Sequence, residues 1–186
     1  MKVTWEKSNI LILDFEGTIR SGIREAGFVL VKDGEINHIK EISKCTHNHT
    51  IEDLVVNYFQ NKNLEQVDLF VSHSASVEHN FLKNIMPYRA QIFGIRRKNF
   101  YWDPWIDTVK TYKALYPSEK KFDLKSLAKR FIDVEIIQDI TMKYCIKEKR
   151  SFHHSVFDAI ICYLLLKRVT EIIDLNKLLL RFNSGR

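Results

Sequence analysis

Apolar and polar positions divide this chain into a strand-rich first half and a helix-rich second half. Residues 9–16 carry the run Ile10-Leu11-Ile12-Leu13 and read as a buried strand. Ile23 to Val31 reads as a second strand, and Asp33-Gly34 predicts a hairpin turn into a third, Ile36 to Ser43. Thr50, with Glu52 and Asp53 behind it, has the chemistry of a helix start, and Leu54, Val55, Tyr58 and Phe59 follow at helical spacing. Val67 to Ser72 predicts a fourth strand, followed by a helix around Ser76 to Asn84 that Pro87 ends. Beyond Trp105 the pattern is helical: Thr108 to Tyr116, Leu124 to Phe131, Ile136 to Tyr144, Ser155 through Leu166, and an amphipathic tail from Glu171 to Phe182. Three successive strands, one strand–helix alternation and then helices predict an α/β or α+β sheet covered by helices. The 186 residues, free of repeats and linkers, fit a single domain.

The first strand ends in Asp14-Phe15-Glu16-Gly17-Thr18. Side chains alternate faces at about 3.3 Å per residue, so Asp14 and Glu16 project side by side while Leu13 and Phe15 point the other way. Two like charges about 7 Å apart beside an apolar sheet repel and lose solvation, a cost that a cation between them removes. A strand edge with solvated acids is the alternative.

Composition narrows the class. Hydrophobic residues at 45% and charged residues at 28% describe a soluble globular protein. No apolar run approaches a membrane span, and the N-terminus lacks a signal-peptide layout, so a cytoplasmic location is expected. Cys45, Cys145 and Cys162 have no paired spacing and read as free thiols; Cys45, His47 and His49 lack a fourth ligand for zinc and read as a polar loop. The net charge of +6 is unevenly spread: residues 1–80 carry 8 Lys and Arg against 12 acids, and residues 81–186 carry 21 against 11. An acidic half and a basic half suit a protein that holds cations and a polyanion together. The run Arg96 to Trp102 mixes cations with aromatics, fit either for nucleic acid or for an exposed loop with its aromatics folded inward.

Asp158 lies in a helix apolar on nearly every side, where a carboxylate must be paired, protonated or metal-bound. A metal shared with Asp14 and Glu16 accounts for three awkward acids together. His153, five residues earlier, is about 140° away on an ideal helix and so belongs in the preceding turn, from which it could take a proton from water; His154 competes for that part. Glu78 reads from spacing alone as a solvated first-turn acid.

In order along the chain, these elements resemble the DEDDh exonucleases, the superfamily that includes the proofreading subunit of bacterial DNA polymerase III. Asp14, Glu16 and Thr18 match the first motif, Asp-x-Glu-x-Thr. His73 to Glu78 with Phe81-Leu82 looks like the second, and His153, Asp158 and Ala159 match His-x4-Asp-Ala. Trp105 to Val109 resembles the strand-to-helix segment between them, and the likeness spans about residues 9–168, leaving 169–186 as a helical tail. One departure is Glu78, where Asp is usual.

The resemblance implies a ribonuclease-H-like α/β fold, a mixed five-stranded sheet in the order 3-2-1-4-5 with strand 2 antiparallel, flanked by helices. It implies two Mg²⁺ or Mn²⁺ ions about 3.5–4 Å apart, clamping a phosphodiester for in-line attack by water. Asp14, Glu16 and Asp158 would be the metal ligands, Glu78 would support a metal through water, and His153 would be the base. Phe15, Gly17, Thr18 and His73 would meet the terminal nucleotide. The implied activity is 3′–5′ exonucleolytic release of nucleoside monophosphates from DNA, single-stranded or frayed, either alone or with a polymerase or repair complex as partner. A 3′–5′ exoribonuclease acting on short RNA is the alternative, and a catalytically silent nucleic-acid-binding module, favoured only by Glu78, is another.

Overall fold

A computed structural model describes residues 3–18, 20–45, 48–61, 67–87, 89–93, 96–100 and 102–183. Its main sheet is built from β1 (Ile10–Thr18), β2 (Gly22–Lys32), β3 (Glu35–Ile42), β4 (Leu69–Ser72) and β7 (Trp105–Asp107). The spatial order is β3-β2-β1-β4-β7, with β1–β2 and β2–β3 antiparallel and β1–β4 and β4–β7 parallel. This is the expected 3-2-1-4-5 ribonuclease-H-like arrangement. The helices are α1 (Ile51–Asn61), α2 (Ala75–Ile85), α3 (Thr108–Leu115), α4 (Leu124–Phe131), α5 (Val134–Tyr144), α6 (Ser155–Thr170) and α7 (Leu175–Asn183).

Strand alternation sorts the core into two layers. Ile10, Ile12, Val29, Val31, Leu69 and Val71 face α6, Leu127 and Ala128 of α4, and Leu175 and Leu178 of α7. Leu11, Leu13, Phe15, Phe28 and Phe70 face α1, α2, Trp102 and Trp105. The tail helix thus packs into the main core, although the resemblance stopped short of it. It begins only after a turn in which Asp174 Oδ1 accepts from Asn176 N at 2.8 Å, and Asn176 in turn bonds Val3. At α1, Thr50 Oγ1 accepts from Asp53 N at 3.1 Å while Asp53 Oδ2 accepts from Thr50 N at 2.9 Å, a reciprocal cap that satisfies two otherwise orphaned donors.

Within 89–100, a stretch without a clean apolar alternation, β5 (Arg89–Phe93) and β6 (Arg96–Phe100) pair as a separate two-stranded antiparallel sheet. Side chains of that basic run lie outside the described residues, except Trp102 at its end. Trp102 is a core residue whose Nε1 donates to Met86 O at 2.7 Å, so it is no stacking platform. His47 also lies outside the described residues, and all three cysteines are free.

The junction that matters most lies between β2 and α6. Gly27, the cross-strand partner of Asp14, faces the first turn of α6 so closely that an added Cβ would stand 2.3 Å from the Ser155 carbonyl carbon. Two residues earlier on the same strand face, Glu25 Oε1 accepts from both Ser155 N (2.8 Å) and Ser155 Oγ (2.9 Å), capping the helix from outside it. Burial would raise the Glu25 pKa, but hydrogen bonds from Lys149 and Ser155 outweigh it and hold the group below its ordinary value.

Gly27→Ala is therefore expected to push α6 off β2 and to destabilise the protein by about 1–3 kcal/mol, the usual cost of overpacking. Urea denaturation measures it, and an unchanged midpoint would contradict the close seating.

Candidate active site

The sheet and three helices converge on a cavity of about 620 Å³ lined by Asp14, Glu16, His73, Ser74, His153 and Asp158, with the α3–α4 segment forming its other wall. Asp14 and Glu16 arrive on β1, on the face opposite Leu13 and Phe15. Asp158 arrives one turn into α6, carried there by the Gly27–Ser155 contact. His73 and Ser74 follow β4, and Glu78, in the first turn of α2, is almost fully buried rather than solvated and lies behind the cavity lining.

Two backbone positions near the cavity are held in the left-handed region. Ser74 (φ 68°) precedes α2 and His153 (φ 73°) precedes α6. Such conformations at non-glycine residues cost about 1–3 kcal/mol and persist only where the surroundings enforce them. At His153 the enforcing contact is its own N–H, which donates to Asp158 Oδ2 at 3.0 Å. Side-chain atoms of Glu16, His153 and Asp158 that could hold a metal all lie within 4.8 Å of one another. His154, the competing histidine, occupies the N-cap position of α6 and points to Glu25 at 3.9 Å, and it does not line the cavity.

Asp107, at the end of β7, ties two helix starts together: Oδ2 accepts from Ala75 N of α2 at 3.1 Å and Oδ1 from Lys110 N of α3 at 3.2 Å. Beside it, Thr108 Oγ1 lies 2.9 Å from His73 Nδ1. Burial holds the His73 pKa below its ordinary value against the opposing pull of Asp107, the Phe122 backbone and Asp123, so the imidazole is neutral near pH 7.

Four carboxylates crowd this end of the sheet. Burial, then the neighbouring charges of Asp158, Glu78 and Glu16, raise the Asp14 pKa well above the ordinary range. Burial pushes Glu78 up to about 8. Asp158 is raised to about 6 by burial, against the stabilising His153 N–H. Asp14 Oδ2, Glu78 Oε2 and Asp158 Oδ1 are buried with no hydrogen-bond partner among the described residues. Among the described residues, Glu16 alone of the four has an ion pair, with the exposed Arg24 at 3.3 Å, and such pairs contribute little. Buried, mutually repelling oxygens with no cationic side chain between them are the donor set that a hard divalent cation fits.

Three of the expected nucleotide contacts fall outside the cavity lining. Phe15 packs against Phe28 and Phe81 in the opposite core layer, Gly17 sits at a β-bulge, and Thr18 Oγ1 pairs with Ser21 Oγ at 2.7 Å on an exposed turn. Gly17 is required there because its φ is 150° and a Cβ would meet Gly22 O at 2.3 Å. Sequence reasoning missed Glu25, Asp107 and the wall residues Lys113, Lys120 and Phe122. Glu25 had a usable signal, standing two residues before a strand glycine and so on one face with it.

The fold and this cavity define a ribonuclease-H-like α/β protein with a buried acidic cluster at the end of its first strand. Comparison with protein-family models and with curated proteins finds no match. Among solved structures the chain is similar to "Exonuclease X in complex with 5′ overhanging duplex DNA", with 18% identity, a TM-score of 0.51, and coverage of 87% of this chain and 91% of that one. At that identity the likeness is one of fold. No helix among the described residues is long and apolar enough to cross a membrane.

Two outcomes follow from the electrostatics. Without metal, Glu78 and Asp158 bind protons more tightly folded than unfolded, so their contribution to stability is full below about pH 4 and is lost as pH rises through about 6 for Asp158 and about 8 for Glu78. In EDTA the stability of Glu78→Gln relative to wild type should therefore rise between about pH 4.5 and 8 and then level off, and a flat difference would contradict a buried Glu78 carboxyl. Near pH 8, Mn²⁺ at about a hundred times its dissociation constant should stabilise the wild type by about 2.7 kcal/mol, or about 5–10 °C in Tm. Asp14→Asn should lose most of that gain, and an equal gain in both proteins would place the ion elsewhere.

Proposed function

We propose that this protein is a divalent-metal-dependent nuclease of the DEDDh 3′–5′ exonuclease type, removing nucleoside monophosphates from the 3′ end of DNA, single-stranded or frayed. The observation that carries the reading is the convergence of Asp14, Glu16, Glu78 and Asp158, from three elements, with His153 beside two of them. Fold alone would not carry it. The DNA-bound state of the similar structure favours DNA as substrate, and RNA is the outcome a matched oligonucleotide pair would reveal.

In this reading Asp14, Glu16 and Asp158 hold the metal, magnesium or manganese, and Glu78 would support a metal through water from α2. Bound there, the metal would supply charge neutralisation at the phosphodiester and a more acidic water. The residues do the rest. His153, exposed at the cavity and with its backbone held by the N–H bond to Asp158, takes a proton from the attacking water. The water oxygen bonds to phosphorus as the bond to the 3′ oxygen of the preceding nucleotide breaks, and the nucleoside monophosphate leaves. Neutral His73, anchored on Thr108, offers a hydrogen-bonding wall to the terminal nucleotide. Gly17 and Thr18 follow Glu16 at the end of β1, outside the cavity lining.

With Mn²⁺ or Mg²⁺ the wild type should shorten a 3′-labelled single strand, Asp14→Ala should be inactive, and His153→Ala should lose about 10²–10⁴-fold in kcat, the usual worth of a general base. Degradation by Asp14→Ala at the wild-type rate would overturn the reading.

A further inference from the structure

Segment 110–130, from the middle of α3 to the end of α4, carries seven Lys and Arg against two acids, a net +5 in a chain whose total is +6. Of the two acids, Asp123 is held below its ordinary pKa by hydrogen bonds from Ser126 and, less strongly, by the nearby Lys121. Glu119 is paired with Arg130 at 3.3 Å, and Asp123 caps α4 by accepting from Ser126 N at 2.9 Å. Lys110, Lys113, Lys120, Lys121, Lys125 and Lys129 are all exposed. Lys125 and Lys129 stand four apart on α4, a like-charge spacing that costs helix stability. Arg130 in its pair with Glu119, and Lys113 and Lys129 in the last turns of α3 and α4, serve the fold in part; the exposed excess beyond that has an external anion as its natural counterpart.

Position makes that anion specific. Lys113 and Lys120 line the acidic cavity, and Lys113 Nζ lies 5.6 Å from the centroid of the Phe122 ring on the same wall. Lys120 then passes into a second concavity, of about 550 Å³, lined by Lys121, Lys129 and Arg130. Cations lead from the reacting end outward along one side, with an aromatic ring at the start, which is the layout of a groove that tracks a single strand by its phosphates.

We infer that the α3–α4 segment is the polynucleotide track: the strand leaves the acidic cavity across Lys120 and lays its next phosphates along Lys121 and Lys129. The direction of that path rests on the nuclease reading, because the 3′ end must occupy the cavity. The substrate is accordingly a strand several nucleotides long, read by charge and not by sequence, and not a dinucleotide.

Binding of a fluorescein-labelled oligo(dT) of about 12 nucleotides, within the 4–16 that one such groove holds, tests this on the full chain in EDTA by anisotropy between about 50 and 200 mM salt. Each phosphate contact on a single strand contributes about 0.7 to the slope of log affinity against log salt, so K121Q/K129Q should flatten the slope by about 1.4. With the two proteins converging near 1 M, that is a loss of roughly 25-fold at about 0.1 M. K121R/K129R should keep both slope and affinity, separating charge from any loss of fold. If K121Q/K129Q matches the wild type in slope and affinity, the track is overturned, and the patch is a solvated face or one that meets an acidic polypeptide. A wild type that binds with the predicted charge dependence but cuts nothing with manganese keeps the track and sinks the nuclease reading; cutting with an unchanged slope does the reverse.

Discussion

The contact on which the site depends is the seating of the α6 N-terminus on β2. Asp14 is paired across the sheet with Gly27, and the absent Gly27 side chain is what lets the Ser155–Val156 backbone come down beside it. Glu25, on the same strand face, supplies the cap that the helix itself lacks, since His154 at the N-cap position makes no side-chain capping bond. Lys149 then clamps Glu25 at 2.8 Å and Glu41 at 2.6 Å, fastening the segment before α6 to the sheet. Once the helix start is fixed, Asp158 is fixed, and the short turn before it must carry His153 in a left-handed conformation back toward the acids.

That arrangement gathers charge where the fold would least tolerate it. Asp14, Glu78 and Asp158 each leave a buried oxygen without a hydrogen bond among the described residues, and burial raises the proton affinity of each. A structural role would have been served better by apolar residues of similar size. Strain at Ser74 and His153 falls at the same cavity, whereas the third positive-φ non-glycine residue, Asp33, is explained by its hairpin turn. Groups that oppose stability and converge on one cavity mark the place where binding energy from outside is expected. The neighbouring α3–α4 segment repeats that logic with the opposite sign of charge.

Much of this was legible in the sequence. The three antiparallel strands, the helix α4 and the buried helix α6 follow from period and turn chemistry, because one-sided burial imposes alternation and full burial removes it. Asp14 and Glu16 stood out as two like charges on one face at the end of an apolar strand, and Asp158 as a carboxylate in a helix apolar on nearly every side. Glu78 was harder: a first-turn acid on an amphipathic helix is usually solvated, and only tertiary packing turns it inward. The hairpin β5–β6 carries too many cations to show a strand period, and Glu25 and Asp107 act by capping helices distant in sequence, which no local pattern reveals. The cavity wall from Lys113 to Phe122 depends on where the α3–α4 turn folds back, again a tertiary fact.

The measurement that bears most directly on the acidic cluster is a crystal structure of the protein soaked in manganese, with the ion located by its anomalous scattering. Manganese is expected bound by Asp14, Glu16 and Asp158, with Glu78 turned toward the same site from α2. Manganese bound elsewhere, with these four carboxylates uncoordinated at full soak concentration, would contradict that assignment.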